Sequence, residues 1–397
     1  MKTVTLSVAY IPLVDAAPLI VAQEMGFAEA EGLSLDLIRA PSWSSVRDML
    51  SFGRVDAAHI LSPVPVAVSL GLGGAATPLS AVMVLSVNGS SICVNKTLAT
   101  SMREAGFAFG FDYPFAAGKA LAAASGGKPI RFGVPFPFSM HFELVRYWLD
   151  AVGAFQPDSI TIRTIPPAMM SDALAAGDID AFCVGEPWGS MAVENGFGEM
   201  LLPSTAIWKR APEKVLAVRT DWAETEPHLL GRLMRAVWSA ARWLGDPESL
   251  ITAAEILSRR PYLDVPADII DRSLGGVMTI SDKGEQRRVP AFIDFFNGAA
   301  NFPWRSQAAW IGERLARRAS LDPAFAAQNA RQAFRSDLYR SALKPLGALL
   351  PAASEKVEGA ILERTPAAAE TGRLFLEPDG FFDGQTYDPS AQHTEKQ

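Results

Sequence analysis

The sequence predicts an α/β protein with two similar lobes, each built on a parallel sheet, and a helical appendage toward the C-terminal end. The first observation is a repeat, since residues 53–63 and 177–187 share the pattern Gly-x-(Val/Ile)-Asp-Ala-x-x-(Ile/Val)-x-x-Pro. The second is that strand-like and helix-like segments alternate as far as Asp221, and the third is that helical periodicity dominates after it. Early alternation followed by helices favours parallel-sheet lobes joined to a helical segment.

Each copy of the repeat is preceded by the same local pattern. An alternating apolar and polar run, at residues 33–38 and again at 160–165, predicts a strand. A polar or proline-rich corner and a short amphipathic segment follow, and the glycine of the repeat ends that helix. This order is a βαβ unit. Because the two copies lie too far apart for a solenoid, whose period is about 20 to 50 residues, they predict two lobes in one chain.

The remaining elements of the first lobe follow from local signals. Strands are predicted at residues 4–10 and 33–38 and in the first repeat up to Pro63, and helices at 16–25 and 46–50. Serines before residue 46 supply an N-cap for the second helix. Residues 82–87 and 92–94 predict one long crossing strand, interrupted at Asn88-Gly89, a dipeptide typical of a turn or bulge.

The second lobe begins after an Ala/Gly-rich stretch at 110–127 that predicts a loose connection. A strand at 130–134, a helix capped by Ser139, the second repeat and a return strand at 214–218 follow. Helices are predicted at 230–244, 249–258 and 266–274, with two or three more within 304–347.

These elements predict four divisions of the chain. They are residues 1–95 for the N-terminal part of lobe 1, 96–213 for lobe 2, 214–300 for a helical return segment to lobe 1, and 301–397 for C-terminal helices and a tail that wraps the lobes.

Composition excludes several classes of partner. The formal net charge of −7 argues against direct binding to nucleic acid or to an anionic membrane, because both favour a basic face. Residues 57–95 carry no charge, but Pro63, Pro65 and Pro78 break any single spanning helix. The first strand is predicted to begin at residue 4, which leaves no room for a signal peptide before it. A cytoplasmic location is therefore expected.

No catalytic signature is present, so the chain is not expected to be an enzyme. A Gly-x-Ser-x-Gly elbow, a Walker loop and an HExxH motif are all missing from the sequence. Cys93 and Cys183 lie in separate apolar strand patterns, which predicts two buried free thiols rather than a disulfide or a metal site. No cofactor is expected.

The candidate site is therefore a ligand cleft between the lobes, at the carboxyl ends of strands and beside helix N-termini that favour anions. Polar or aromatic residues follow several predicted strands or open the return strand: Trp43, Ser44, Ser90, Ser91, His141 and Lys214.

Three of these residues also have an ordinary structural explanation. Trp43 is a packing aromatic in that case, His141 a surface or capping histidine, and Lys214 a solvated partner of Glu213. In the same terms His59 is a core histidine with satisfied hydrogen bonds, and Glu186 caps the helix that follows Pro187.

The chain resembles the nitrate- and bicarbonate-binding proteins of the NrtA/CmpA type, which are substrate-binding proteins of ABC importers. The resemblance rests on the segments Ala-Pro-Ser-Trp (40–43), Ala-His-Ile-Leu-Ser-Pro (58–63), Phe-Cys-Val-Gly-Glu-Pro-Trp (182–188), Ile-Trp-Lys (207–209) and Pro-Glu-Lys (212–214). It continues through residues 254–258, 302–303 and 382–389 and so covers nearly the whole chain. It implies the two-lobed periplasmic-binding-protein type II fold, with a central cleft that closes on a small oxyanion.

The resemblance also implies site residues. Trp43 and His141 contact the anion, and Pro167 and Val184 line the pocket. Lys214 stands where bicarbonate binders of the family have an acidic residue that works with a metal ion, so a lysine there implies nitrate or nitrite as the ligand. An ammonium compensates a monovalent anion directly, whereas a carboxylate needs a cation in between. Where the family has a longer amide side chain this chain has serines, so Ser90 or Ser91 is expected to reach the ligand through water.

The chain is expected to lack a leader and a lipoprotein cysteine. In this respect it resembles the cytoplasmic nitrate sensors of the NasS type within this family. That resemblance implies a partner, an ANTAR-type RNA-binding antiterminator, which the sensor holds inactive until nitrate or nitrite binds. The alternative is a periplasmic substrate-binding component of an ABC transporter for nitrate or another small anion.

Overall fold

The computed structural model describes residues 3–74, 77–156 and 158–391. Its strands are β1 (Val4–Tyr10), β2 (Leu33–Arg39), β3 (Ala57–Leu61), β4 (Leu79–Asn88), β5 (Ser90–Asn95), β6 (Ile130–Val134), β7 (Ile160–Thr164), β8 (Ala181–Gly185), β9 (Gly198–Pro203), β10 (Pro212–Arg219), β11 (Val277–Thr279), β12 (Gln286–Arg288), β13 (Ile293–Asp294), β14 (Thr365–Ala367) and β15 (Leu374–Leu376).

The helices surround two main sheets. They are α1 (Ala17–Glu24), α2 (Phe27–Ala30), α3 (Trp43–Ser51), α4 (Pro63–Ser69), α5 (Lys96–Glu104), α6 (Pro114–Ala124), α7 (Met140–Val152), α8 (Met170–Ala175), α9 (Trp188–Glu194), α10 (Thr220–Thr225), α11 (Pro227–Leu244), α12 (Leu250–Ser258), α13 (Ala267–Gly275), α14 (Arg305–Ala319), α15 (Pro323–Ala330) and α16 (Ser336–Leu343). No helix in the described ranges is both long enough and apolar enough to cross a bilayer.

The two main sheets confirm the predicted α/β lobes. One has the strand order β13-β4-β10-β3-β1-β2 and the other the order β7-β6-β8-β5-β9. In each, the strands of the βαβ units pair in parallel, β1 with β2 and β3, and β6 with β7 and β8. The strands that connect the lobes, β4, β5 and β10, pair antiparallel to their neighbours. Each sheet is therefore a parallel unit completed by crossing strands.

The repeat has a structural explanation in both lobes. The Asp56 carboxylate accepts hydrogen bonds from the backbone N–H and the hydroxyl of Ser7, both at 2.8 Å. The Asp180 carboxylate accepts from the backbone N–H of Arg131 at 2.9 Å and from its guanidinium. Each aspartate thus fastens the third strand of its unit to the first, and Gly53, just past α3, has a φ of 66° that favours glycine.

The chain passes from one sheet to the other at Gly89. β4 ends at Asn88 and β5 begins at Ser90, as the interrupted crossing strand predicted. Gly89 has a φ of 92°, and a Cβ there would lie 2.8 Å from Cδ1 of Ile293. Only glycine fits this crossing without displacing its neighbour.

Several local predictions were wrong. The Ala/Gly-rich stretch contains helix α6, because alanine is a strong helix former and Gly118 allows close approach to Val152 on α7. The predicted helix at 46–50 begins earlier, at Trp43, and Ser42 is its cap, accepting from the backbone N–H of Ser45 at 3.2 Å. Helix α4 and strand β9 were not predicted.

The C-terminal tail packs against the second lobe and α14. The backbone N–H of Phe382 donates to the carbonyl of Ile207 at 2.9 Å, and the Tyr147 hydroxyl on α7 donates to the Asp383 carboxylate at 2.9 Å. Phe381 stacks on Trp208, with ring centroids 4.6 Å apart.

We expect the repeat aspartate to contribute to stability in the second lobe. Asp180→Ala removes three hydrogen bonds to Arg131, so the free energy of unfolding should fall by about 1–3 kcal/mol. Urea unfolding of this variant beside Asp178→Ala, an exposed neighbour, measures the difference. Equal stability of the two variants would contradict the role assigned to the repeat.

The prediction of two free buried thiols is confirmed. Cys93 and Cys183 are fully buried on the neighbouring strands β5 and β8. Cys183 lies opposite Ile92, so its side chain points to the other face of the sheet from that of Cys93. Burial raises the pKa of both thiols well above the ordinary value.

We therefore expect both thiols to react only after unfolding. Thiol titration in denaturant without reductant should find two free groups, while the native protein should react slowly, because thiolate formation and access are both suppressed. Rapid labelling of either cysteine in the native protein would contradict the buried geometry.

Candidate functional site

A lysine with no exposure to solvent lies at the start of β10, next to residues from both lobes. Lys214 Nζ donates to Asp15 Oδ2 at 2.7 Å and to Glu213 Oε1 at 2.8 Å. It also lies 5.4 Å from the centroid of the Trp43 ring, within the range of a cation–π interaction. Burial alone would lower the pKa of Lys214, but the two carboxylates outweigh it and raise the pKa above its ordinary value. The lysine is therefore charged.

Glu213 reaches this position because β10 is irregular there. Successive residues of a regular strand point to opposite faces, so Glu213 and Lys214 should diverge. The register of β10 against β4 shifts on both sides of Lys214, however, and such bulges redirect side chains. Ser62, at the start of α4, supports this segment, because its hydroxyl donates to the Pro212 carbonyl at 2.7 Å and its backbone N–H to the Glu213 carbonyl at 3.1 Å.

Asp15 and His59 form the second pair of the cluster. Asp15 follows β1, and its Oδ1 lies 2.9 Å from Nε2 of His59 on β3. Burial is the largest single effect on the Asp15 carboxyl and would raise its pKa, but Lys214 and His59 together lower it to about 2. For His59 burial prevails over the carboxylate and lowers the pKa. A neutral His59 thus donates its Nε2–H to an ionised Asp15.

The second lobe contributes His141 and Ser90. Ser139 caps α7 by accepting from the Phe142 backbone N–H at 3.1 Å, which places His141 in the first turn of the helix. The Ser90 hydroxyl on β5 lies 3.1 Å from His141 Nε2. Burial first, and then the charge of Lys214, hold the pKa of His141 well below its ordinary value.

Four buried polar atoms of this cluster have no hydrogen-bond partner among the residues that the structure describes. They are Trp43 Nε1, His59 Nδ1, His141 Nδ1 and Glu213 Oε2. Buried polar atoms are nearly always paired in folded proteins. An unpaired set that comes from three elements of one lobe and one of the other indicates a place for a small polar ligand.

The lobes are in direct contact beside this cluster. The backbone N–H of Val14 donates to the Glu186 carbonyl at 2.8 Å, and the Trp188 indole donates to the Pro12 carbonyl at 3.1 Å. The predicted capping role of Glu186 is confirmed, because its carboxylate accepts from the Ser190 backbone N–H at 3.1 Å. The Ser91 hydroxyl donates to the same carboxylate at 2.6 Å.

The structure brings together four of the predicted site residues, Trp43, Ser90, His141 and Lys214. The alternative explanation for Lys214, a solvated pair with Glu213, is wrong because both residues are fully buried. The helix predicted at 46–50 was expected to follow Trp43 and Ser44. These two residues are instead the first two residues of that helix, α3.

The other predicted residues lie outside this contact network. Ser44 is half-buried, and its hydroxyl lies 2.9 Å from that of Ser42 within α3. Val184 is buried on β8 opposite Ser91, and Pro167 is buried in a short 3-10 turn before α8. Within the described residues, no hydrogen bond or ion pair joins them to Lys214.

Asp15 was not predicted, Glu213 was named only as a solvated partner of Lys214, and His59 was assigned only to the core. The sequence does carry a signal for Asp15, because it is the single charged residue in the run 3–23. His59 is buried as predicted, but its Nδ1 is unsatisfied and its ring centroid lies 5.6 Å from that of Trp43. In the described ranges no cluster of three or more acidic, histidine or cysteine side chains could hold a metal ion.

Comparisons with known proteins place this chain in a family. The model of the NMT1-like family matches residues 1–258. The chain is 30% identical over 402 residues to the nitrate/nitrite binding protein NrtA of Nostoc sp., covering 98% of this chain and 84% of that protein. It is also 34% identical to the nitrate import ATP-binding protein NrtC of Synechocystis sp., over 87% of this chain but only 51% of that protein, so it spans about half of that relative.

A solved structure shares the fold. The periplasmic nitrate-binding protein NrtA from Synechocystis PCC 6803 superposes with a TM-score of 0.84 at 27% identity, over 99% of this chain and 97% of that one. The match includes both sheets and the C-terminal helices. The chain therefore belongs to the NMT1-like family and has the fold of a periplasmic binding protein.

Proposed function

We propose that this protein binds nitrate, and also nitrite, in the cleft between its lobes, and that it is not an enzyme. The observation that carries the proposal is the buried, charged Lys214 beside buried polar atoms that lack partners. A monovalent anion in contact with an ammonium gains a charge-assisted interaction in a site shielded from water. The similarity to nitrate/nitrite binding proteins over nearly the whole chain supports the same ligand class.

Each residue of the proposed site has a role in anion binding. Lys214 supplies the positive charge, the Trp43 indole N–H and ring bind and flank a planar anion, and His141 presents a ring nitrogen from the opposite lobe. Ser90 orients His141 through their hydrogen bond. Ser44, Pro167 and Val184 are proposed to complete the pocket wall.

We propose nitrate rather than bicarbonate as the ligand, because bicarbonate binders of the resembled family have an acidic residue where this chain has Lys214. A carboxylate in place of Lys214 would need a metal ion between itself and the anion, whereas the ammonium needs none. Lys214 is already fixed by Asp15 and Glu213, so its position does not depend on the ligand. We infer that binding requires no calcium.

Replacing Lys214 should weaken nitrate binding. Lys214→Gln removes a charge-assisted contact, and the dissociation constant measured by calorimetry should rise about ten- to a hundredfold. Lys209→Gln is the matched control, because Lys209 is exposed in the turn before β10. Trp43→Phe, which keeps a ring and removes only the indole N–H, should also weaken binding and tests the site if the lysine variant fails to fold. Calcium-dependent bicarbonate binding without any response to nitrate would contradict the proposal.

We further propose that the protein is a cytoplasmic sensor that holds an ANTAR-type RNA-binding antiterminator and releases it when the anion binds. Closure of two lobes on a ligand gives two states, and the ligand shifts their populations by its difference in affinity for them. The net charge of −7 complements a basic RNA-binding partner.

A second candidate function is supported by a specific observation. The chain matches the nitrate/nitrite binding protein NrtA over 98% of its length, which favours a substrate-binding component of an ABC transporter for nitrate equally well. The two candidates share the anion site and differ in the partner and the location.

The partner distinguishes the two candidates. We expect the anion-free protein to form a complex with an ANTAR-type antiterminator, and millimolar nitrate to dissociate that complex in size-exclusion chromatography. Because the coupling is reciprocal, the antiterminator should lower the apparent affinity for nitrate. A complex that nitrate does not dissociate, or the absence of a complex, would favour the transporter component.

A further inference from the structure

The charges of the buried cluster do not balance once an anion is added. Among the residues that the structure describes, Lys214 is the one cation in contact with this cluster, and it faces two carboxylates, Asp15 and Glu213. Both histidines are neutral, because burial holds the pKa of His59 and that of His141 below their ordinary values. With both acids ionised the cluster carries one negative charge, and a bound monovalent anion would make it two. Uncompensated charge in a buried site is strongly unfavourable.

Glu213 and His141 are the groups placed to correct this imbalance. Glu213 Oε1 accepts from Lys214, but Oε2 is buried without a donor. His141 Nδ1 lies 3.3 Å from Glu213 Oε1 and has no hydrogen-bond partner of its own among the described residues. A proton on Glu213 Oε2 would turn an acceptor that repels an anion into a donor, and a proton added to neutral His141 would leave an N–H donor at both ring nitrogens.

The other groups around this pair cannot take the proton. Asp15 is held ionised by Lys214 and His59, with its pKa at about 2. His59 already directs Nε2–H to Asp15. Cys183 on β8 is a neutral thiol with a raised pKa, and Trp43 and Ser90 do not titrate near neutral pH. Glu213 differs from these groups, because burial raises its pKa and the opposing effect of Lys214 is smaller.

We propose that the cleft takes up one proton from solvent with each anion it binds, and that the Glu213–His141 pair holds that proton. This inference rests on the proposed anion-binding function. The proton forms a new O–H bond on Glu213 or a new N–H bond on His141, and its charge cancels that of the anion. Nitrate affinity therefore rises as the pH falls.

The sign and size of the effect follow from linkage. Above the pKa of the free pair, binding must bring a proton in, so nitrate affinity should fall about tenfold for each unit of rising pH. Below that pKa the proton is already bound, and affinity becomes independent of pH. Binding of the anion raises the pKa of the pair by the same linkage.

Calorimetry of the wild-type protein with nitrate tests the proposal. Titrations at one pH in buffers of different ionisation enthalpy give the number of protons taken up per nitrate bound. We expect this number to be close to one at about pH 8. Nitrate binding with no proton uptake, and with constant affinity from about pH 6 to about pH 8.5, would overturn the inference. The absence of nitrate binding at every pH would instead refute the proposed function.

A variant assigns the proton to the pair. Glu213→Gln removes the excess negative charge while keeping the shape, so proton uptake should fall close to zero and the slope of affinity against pH should disappear. Glu358→Gln is the matched control, because Glu358 is a buried glutamate that pairs with Lys356 outside the cleft. If Glu213→Gln keeps the full proton uptake, the assignment is wrong. If that variant does not fold, the wild-type proton count still decides the proposal.

Discussion

The ion pairs of Lys214 with Asp15 and Glu213 are the interaction on which the site depends. A lysine without solvent contact is tolerated only when carboxylates compensate its charge, and removing one partner of such a buried pair typically costs about 3 to 5 kcal/mol. Here the partners come from the loop after β1 and from β10, segments far apart in the chain. The charge requirement therefore fixes the crossing strand against the first βαβ unit and holds the ammonium in place before any ligand arrives.

The fold separates residues that build the lobes from residues that could bind a ligand. In each lobe the repeat aspartate, Asp56 or Asp180, fastens the third strand to the first, and neither aspartate contacts the Lys214 cluster. The cluster uses residues near strand ends and helix starts that the two lobes do not share. Lobe 1 supplies the cation, both acids and the indole, and lobe 2 supplies His141 and Ser90. A ligand that contacts both sets favours the arrangement in which the Val14 backbone N–H donates to the Glu186 carbonyl.

Much of this could be predicted from sequence because it is local. Hydrophobic period, caps and the repeat predicted the βαβ units, and Ser139 predicted the start of the helix that carries His141. Other features could not be predicted because they depend on tertiary context. The role of Asp15 depends on Lys214, 199 residues away, and strict alternation along β10 would place Glu213 on the wrong face, because a register shift leaves no mark in composition. Helix α6 was missed because its alanines and glycine form no clear amphipathic pattern in the sequence. The face that packs on α7 is defined only in the folded structure.

We propose that a small anion occupies the space between Lys214, Trp43 and His141. A crystal structure of the protein grown with nitrate measures this most directly. We expect a planar anion within hydrogen-bond distance of Lys214 Nζ and His141, lying against the Trp43 ring, with the lobes closed around it. Nitrate bound elsewhere, while Lys214 keeps only its two carboxylate partners, would rule out the proposed anion site.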